Sequence, residues 1–287
     1  MKKRVLALLL GTVLTAGGFV GCSSSTEQTT EDAQTSQAQS STETETVTIK
    51  VGAVPTPHAE ILESVKDTLA AEGISLEVVE FSDYIQPNIA LASGELDANF
   101  FQHEPYLINS NEENGTNLVS IGTVHYEPMC IYGGKTTSLT DVPEGAKVAV
   151  PNDPTNEARA LLLLEANGLL TINADAGINA TKLDILENPH NLEIVEVEAA
   201  QVPRSLQDVD LAVVNGNYAV GAGFNISDAL AKEASDSVSA QTYANVVAVR
   251  AEDTQRPELQ KLIEVLKSDA VKSFIEQNYQ GAVEPVA

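Results

Sequence analysis

Apolar and polar residues alternate from Val47 to Val54, switch to helical spacing at Ile61, Leu62, Val65 and Leu69, and return to a strand-like run from Ile74 to Phe81. A period of two thus gives way to one near 3.6 and back. Thr56-Pro57 supplies a cap and a first-turn proline for the helix, and Gly73 ends it. Strands separated by a crossover of this length run parallel. A short helix near Pro87 to Ser93 follows, then a turn at Gly94 into a buried strand ending at Phe101. Strands are expected at Leu118 to Val124 and Glu127 to Tyr132, and Gly133-Gly134-Lys135 then breaks the pattern. Ala146 to Val150 opens a second series, with a helix from Asn156 to Asn167 stopped by Gly168. Later strands fall at Leu192 to Val197, Val209 to Val214 and Ala244 to Arg250, and helices at Pro257 to Lys267 and Ala270 to Tyr279. Two alternating series predict an α/β protein with two sheets, whose ligand site lies beyond strand ends and between lobes.

The N-terminus has a different character. Lys2, Lys3 and Arg4 precede an apolar run from Val5 to Leu14, small residues, and Cys22 after Gly21. This order is that of a secretory signal. A cysteine directly after a small residue predicts lipidation of Cys22 and anchoring outside the cytoplasm; the alternative is a plain signal whose cysteine is incidental. Phe19 stands where bacterial lipoboxes usually carry leucine. Ser23 to Thr46 contains only Ser, Thr, Glu, Gln, Asp and Ala, too little apolar surface to offset the entropy of ordering. It reads as a disordered tether with a span of roughly 25–30 Å. No later segment approaches the ~18 apolar residues of a membrane span.

The net charge of −25 argues against nucleic acid or an anionic membrane surface as partner. Cys130, in the apolar run Pro128 to Tyr132, reads as a small buried hydrophobe. The sequence lacks GxSxG, HExxH, GxxxxGKS/T, CxxC and GxGxxG, so no enzyme class and no cofactor is indicated. His58, His103, His125 and His190 are scattered along the chain, and a metal-capture protein would need three of them with a carboxylate.

Three stretches are chemically dense. In Pro151-Asn-Asp-Pro-Thr-Asn-Glu-Ala-Arg159, a strand end leads to a helix that Thr155 is placed to cap, with Arg159 one turn in. Free N–H groups and a guanidinium suit a carboxylate, although Arg159 could equally pair with one of 41 acids. Phe100, Phe101, His103 and Tyr106 could line a pocket or pack as core. Asn215-Gly-Asn217-Tyr218 leaves a strand end as a ligand-facing loop or an ordinary turn. Asn245 opens a strand, where asparagine is unfavourable without a specific job.

Taken in order, Gly94-Glu-Leu-Asp-Ala-Asn with Phe101-Gln-His103, Pro151-Asn-Asp-Pro-Thr-Asn with Arg159-Ala-Leu-Leu-Leu-Leu, Asn215-Gly-Asn-Tyr218 and Asn245-Val-Val-Ala-Val-Arg250 resemble the NlpA family of methionine-binding lipoproteins of bacterial ABC importers. The resemblance covers nearly the whole body from Val47. It implies a two-lobed periplasmic-binding-protein fold, type II-like, with two mostly parallel sheets and a two-strand hinge. Lobe 1 would comprise residues 47–134 plus 244–287 and lobe 2 residues 135–243. It also implies no enzymatic activity, and delivery of methionine or a similar amino acid to an importer's permease and ATPase complex. Arg159 would bind the ligand carboxylate. Asn245 and either Asn217 or Asn215 would hydrogen-bond the ammonium and carboxylate, with Asn217 preferred because it precedes Tyr218. Tyr84, Phe101 and His103 would surround the thioether. Another apolar amino acid or a methionine-containing dipeptide would fit the same class, and a metal-capture lipoprotein is the alternative from a different one.

Overall fold

The computed structural model describes residues 46–234 and 241–286. The expected signal segment, Cys22 and the tether, apart from Thr46, lie outside the described residues. Strands β1 (Val47–Ala53), β2 (Ile74–Glu80), β3 (Ala98–His103), β4 (Leu118–Tyr126), β12 (Asn245–Arg250) and β13 (Glu284–Pro285) form one sheet, in the order β13-β4-β12-β3-β1-β2. Strands β5 (Cys130–Gly133), β6 (Lys147–Pro151), β9 (Glu193–Val197), β10 (Leu211–Val214) and β11 (Ala231–Lys232) form the second, in the order β11-β5-β10-β6-β9. A small antiparallel pair, β7 (Thr171–Ile172) and β8 (Ile185–Glu187), accompanies it.

Each sheet is mixed. The β-α-β entry gives parallel pairing of β1 with β2 and β3, and β6 likewise runs parallel to β9 and β10. The antiparallel pairs are those of β12 and β13 in the first sheet and of β5 in the second; β5 and β12 are the first strands after the chain changes sheet. One crossing runs from β4 to β5 through Glu127-Pro128-Met129; the other lies between β11 and β12, residues 233–244, of which 235–240 are not described.

The first crossing corrects a boundary expected from sequence. Cys130–Gly133 pairs with Leu211–Val214, so lobe 2 begins before the glycine pair at 133–134. Those glycines are close approaches instead: a Cβ on Gly134 would lie 2.2 Å from the Leu206 carbonyl oxygen and 2.4 Å from that of Val209.

Helices fill the crossovers. The first expected helix is two, α1 (Glu60–Ser64) and α2 (Lys66–Ala71), broken at Val65, where φ is −106° and ψ 0°. Thr56 does not cap it; its backbone is extended and its hydroxyl donates to Glu60. Then come α3 (Gln86–Ser93), α4 (Glu104–Asn114), α5 (Pro154–Ala166), α6 (Val202–Ser205), α7 (Gly216–Gly221), α8 (Pro257–Leu266) and α9 (Asp269–Tyr279). In lobe 1, Ile49, Val51, Phe100 and Val247 meet Ile61, Leu62, Leu259, Leu262 and Ile275 of the helices. In lobe 2, Val148, Val150, Leu211 and Val213 meet Leu161 and Leu164 of α5. Burial of each such side chain stabilises by about 1.5–3 kcal/mol. Cys130 is buried, as expected, and burial raises its thiol to about 11.

Gly134→Ala should destabilise the protein by about 1–3 kcal/mol, because the obstruction is backbone and not a side chain that can swing away. Thermal unfolding checks this; an unchanged melting temperature would contradict the close approach.

Candidate functional site

Helix α5 starts two residues earlier than its sequence suggests. Pro154 occupies its first turn, so the capping position falls on Asp153, whose carboxylate accepts from the Asn156 backbone N–H at 3.0 Å. Thr155 lies inside the helix and donates its hydroxyl to Asp153. This start sets Asn156 and Arg159, both buried, toward lobe 1.

Tyr84, Phe101, His103, Arg159, Asn215, Asn217 and Asn245 all line one cavity with an empty volume of ≈ 340 Å3, its open mouth included. Gln102, Tyr106, Glu127, Asn156 and Gly216 complete the lining. Lobe 1 supplies the aromatic wall: Tyr84 lies 5.8 Å from both Phe101 and Tyr106, between ring centroids. A buried amide network holds that wall from below. Asn99 Nδ2 and Gln102 Nε2 donate to Asn88 Oδ1 at 2.8 and 2.7 Å, fixing α3 to β3, and Asn88 Nδ2 reaches Ser110 of α4 at 3.1 Å.

His103 Nδ1 accepts from the Tyr106 backbone N–H, so the proton sits on Nε2, which faces Asn156 Oδ1 of lobe 2 at 3.3 Å. Burial, then the nearby Arg159 charge, lowers this imidazole to about 3, and it is neutral at physiological pH. Tyr84 donates across the cleft to Asn217 Oδ1 at 2.5 Å. Asn215 is placed differently. Its Nδ2 donates to Asn156 Oδ1, but its own Oδ1 is buried with no partner among the described residues.

Arg159 pairs with an acid, Glu233, and also lines the cavity. Its Nε and Nη2 fork onto Glu233 at 2.8 and 2.5 Å, and Nη2 also donates to the Glu127 carbonyl at 2.9 Å. Its remaining nitrogen, Nη1, donates to no described residue. The guanidinium carbon stands 4.5 Å over the Tyr243 ring. Glu233 also accepts from the Tyr126 hydroxyl at 2.6 Å and the Met129 N–H at 2.8 Å. Burial alone would raise its carboxyl; the Arg159 charge and these bonds outweigh burial and leave it below its ordinary value.

Of the four histidines, the structure gathers only two around a carboxylate. Ligating atoms of His58, His125 and Glu127 lie within 4.8 Å of one another, all buried. His125 Nε2 is 2.6 Å and His58 Nε2 3.4 Å from Glu127 Oε1, and His58 Nε2 is 3.0 Å from Asn245 Oδ1. Both Nδ1 atoms lack partners among the described residues. Metal-bound imidazoles ordinarily anchor their second nitrogen, so this set fits a hydrogen-bonded cluster better than a metal centre. Burial lowers His58 to about 4 and His125 to about 3, and it raises the Glu127 carboxyl against the pull of His58.

Glu127 and Glu233 have no sequence signal of their own, since each is one acid among 41.

Residues 49–287 match the NlpA lipoprotein family. The chain belongs to that family. The D-methionine-binding lipoprotein MetQ of Salmonella typhimurium is 40% identical over 238 residues, 81% of this chain and 86% of that protein. A nutrient-binding protein from Burkholderia cenocepacia, solved bound to methionine, is 47% identical with a TM-score of 0.79 over 83% of this chain and 100% of that one. A Ruminococcus gnavus structure is 54% identical, TM-score 0.83, over 84% and 99%. Among the described residues of this NlpA-family chain, no helix is long and apolar enough to cross a membrane.

Removing Arg159 would strand Glu233, so Arg159→Ala is expected to lower stability as well as any binding. Glu233→Gln should cost about 3–5 kcal/mol by leaving a buried cation without its counter-charge. Because the folded Glu233 carboxyl lies below its ordinary value, its contribution is present above the unfolded value near ~4.3 and is lost as pH falls through the folded one. Denaturant unfolding from pH 7 down to acid should show this loss in the wild type and not in Glu233→Gln.

Proposed function

We propose that the protein captures methionine between its lobes and delivers it to an ABC importer. It is a binder and not an enzyme. One observation carries the reading: the stretches singled out in the sequence converge from both lobes on one cavity that is aromatic on one wall and holds uncommitted polar atoms on the other. Nη1 of Arg159 suits the ligand carboxylate. Asn215, Asn217 and Asn245 supply hydrogen bonds to its charged end, which a zwitterion taken from water requires. Tyr84, Phe101 and His103 surround the thioether, each aromatic contact contributing about 0.3–1.5 kcal/mol. The methionine carried by the Burkholderia relative and the name of the Salmonella relative support the same cargo.

The lobes part and close about the two crossings, and the importer's permease and ATPase complex receives the closed form. A lipid on Cys22 holds the protein on the outer face of the cell membrane, and the polar tether lets the body reach the importer.

Isothermal calorimetry of the purified protein with L- and D-methionine tests the reading. One-site binding is expected, and at 100 Kd of free ligand the fold should gain ~2.7 kcal/mol. Asn215→Ala should weaken binding by roughly 10- to 100-fold, the cost of losing a buried hydrogen-bond partner. A wild-type protein with no heat and no thermal shift for either isomer would refute the function.

A further inference from the structure

Tyr218 follows Asn217 directly but is not among the residues that line the cavity. It lines instead a wider groove between the lobes, with an empty volume of ≈ 1480 Å3, open solvent included. Ser82 and Asp83 of lobe 1 and Gln201 and Arg204 of lobe 2 also line that groove, and Asn217 lines both spaces. The Tyr218 ring lies 4.8 Å from the Tyr84 ring between centroids, inclined at 33°. This is a tilted contact at the distance of favourable aromatic pairs. Tyr84 is thus nearer to a ring of the other lobe than to Phe101 or Tyr106 of its own wall. Its hydroxyl reaches the same turn of α7 through Asn217 Oδ1, so two consecutive residues of α7 hold one tyrosine of lobe 1. The Tyr218 hydroxyl stands 3.5 Å from the Ser82 carbonyl, at the limit of a hydrogen bond, and adds little.

Each ring is fixed from its own side. Tyr218 is half-buried against the lobe 2 cluster that contains Val202, Val214 and Ala219. Asn215 Nδ2 donates to Asn156 Oδ1 and the Asn217 N–H to the Glu127 carboxylate, which fastens the start of α7 to α5 and to the first crossing. The Tyr84 carbonyl accepts from the Tyr106 hydroxyl at 3.1 Å within lobe 1. Two rings so held, one on each lobe, meet only when the lobes meet. A contact made in the closed state alone biases the equilibrium toward that state by the whole of its free energy.

We propose that Tyr218 is a positioning residue that latches the closed lobes through Tyr84, and that this stack sets how long the amino acid stays bound and not which amino acid is admitted. The proposal rests on the amino-acid reading above. Opening breaks the stack before ligand leaves toward the outer groove. Ligand enters the open form, in which the rings are apart, so entry does not depend on them. Loss of the stack therefore appears in the exit rate, and leaves the entry rate and the order of preference among ligands as they were.

Release of labelled methionine into an excess of unlabelled methionine measures the exit rate, and equilibrium dialysis the affinity, for the wild type, Tyr218→Ala and Tyr218→Phe. Tyr218→Ala should release methionine roughly 10-fold faster than the wild type and bind it more weakly by the same factor, the scale of an aromatic pair together with the area it covers. Tyr218→Phe keeps the ring and should stay within about threefold of the wild type, because the hydroxyl contact it gives up is at the limit of a hydrogen bond. The ratio of affinities for methionine and norleucine should be the same in all three. An unchanged exit rate in Tyr218→Ala overturns the proposal. So does an affinity loss carried by slower entry, or a changed methionine-to-norleucine ratio, which would put the residue in the entrance or in the specificity pocket. Tyr218→Phe as impaired as Tyr218→Ala would credit the hydroxyl and overturn it too. If Tyr218→Ala does not fold, Tyr218→Leu, which keeps apolar bulk against lobe 2, takes its place with the same expectation. A wild type that binds no amino acid fails the broader reading; a wild type that binds while the ringless variant releases no faster fails this one alone.

Discussion

The Arg159–Glu233 pair joins most of what matters in this fold. Arg159 comes from the first turns of α5, Glu233 from the second crossing, and their shared partners, the Glu127 carbonyl, the Met129 N–H and the Tyr126 hydroxyl, from the first. Both places where the chain changes sheet are therefore fastened to the head of one helix. Two charges taken out of water cost several kcal/mol each, and only a bidentate geometry with every remaining lone pair satisfied offsets that. Glu233 accepts four hydrogen bonds here. A leucine pair could fill the volume, but it could not hold a guanidinium with one nitrogen left over for a ligand.

The contacts across the cleft are of another kind. Tyr84 to Asn217 and His103 to Asn156 are neutral hydrogen bonds, each with a net contribution of about 0.5–1.5 kcal/mol. His103 is neutral at working pH, so no ion pair clamps these two contacts. The rigid parts lie to either side: the amide network of Asn88, Asn99 and Gln102 beneath the aromatic wall, and the ion pair behind α5. The contacts between these two stiff parts are thus weak compared with those inside each.

Much of this was legible in the sequence, for reasons particular to each element. Strand β1 announces itself by alternation because Ile49 and Val51 are buried while Thr48 and Lys50 are exposed, and β6 and β12 by apolar runs because nearly every residue in them is buried. Helix α4 does not: Glu-Pro-Tyr-Leu-Ile-Asn-Ser-Asn-Glu-Glu-Asn is rich in asparagine, a poor helix former, and its cap is a histidine side chain, His103, accepting from Tyr106. The cap of α5 was read two residues late because Thr155 is a plausible cap by type, whereas the proline at 154 moves the role to Asp153. The lobe boundary was misplaced because a glycine pair signals a break in pattern equally well when its cause is a backbone packed against it. The arginine, asparagines and aromatics that line the cavity stand out in the sequence because such residues are sparse here or stand in unfavourable places. Glu127 and Glu233 were not, since a carboxylate's partners are set by tertiary structure alone.

The cavity holds polar atoms that no neighbouring side chain satisfies. Asn215 Oδ1 is buried with no partner among the described residues, and Arg159 Nη1 has no described acceptor. An unsatisfied buried group costs about 1–3 kcal/mol, more when charged. The ion pair and the amide network fix the side chains around these atoms. A ligand with a donor and an acceptor on one carbon removes several of these penalties together. On this view the apolar wall sets how tightly a side chain is held, and the uncommitted polar atoms set which class of molecule is admitted at all.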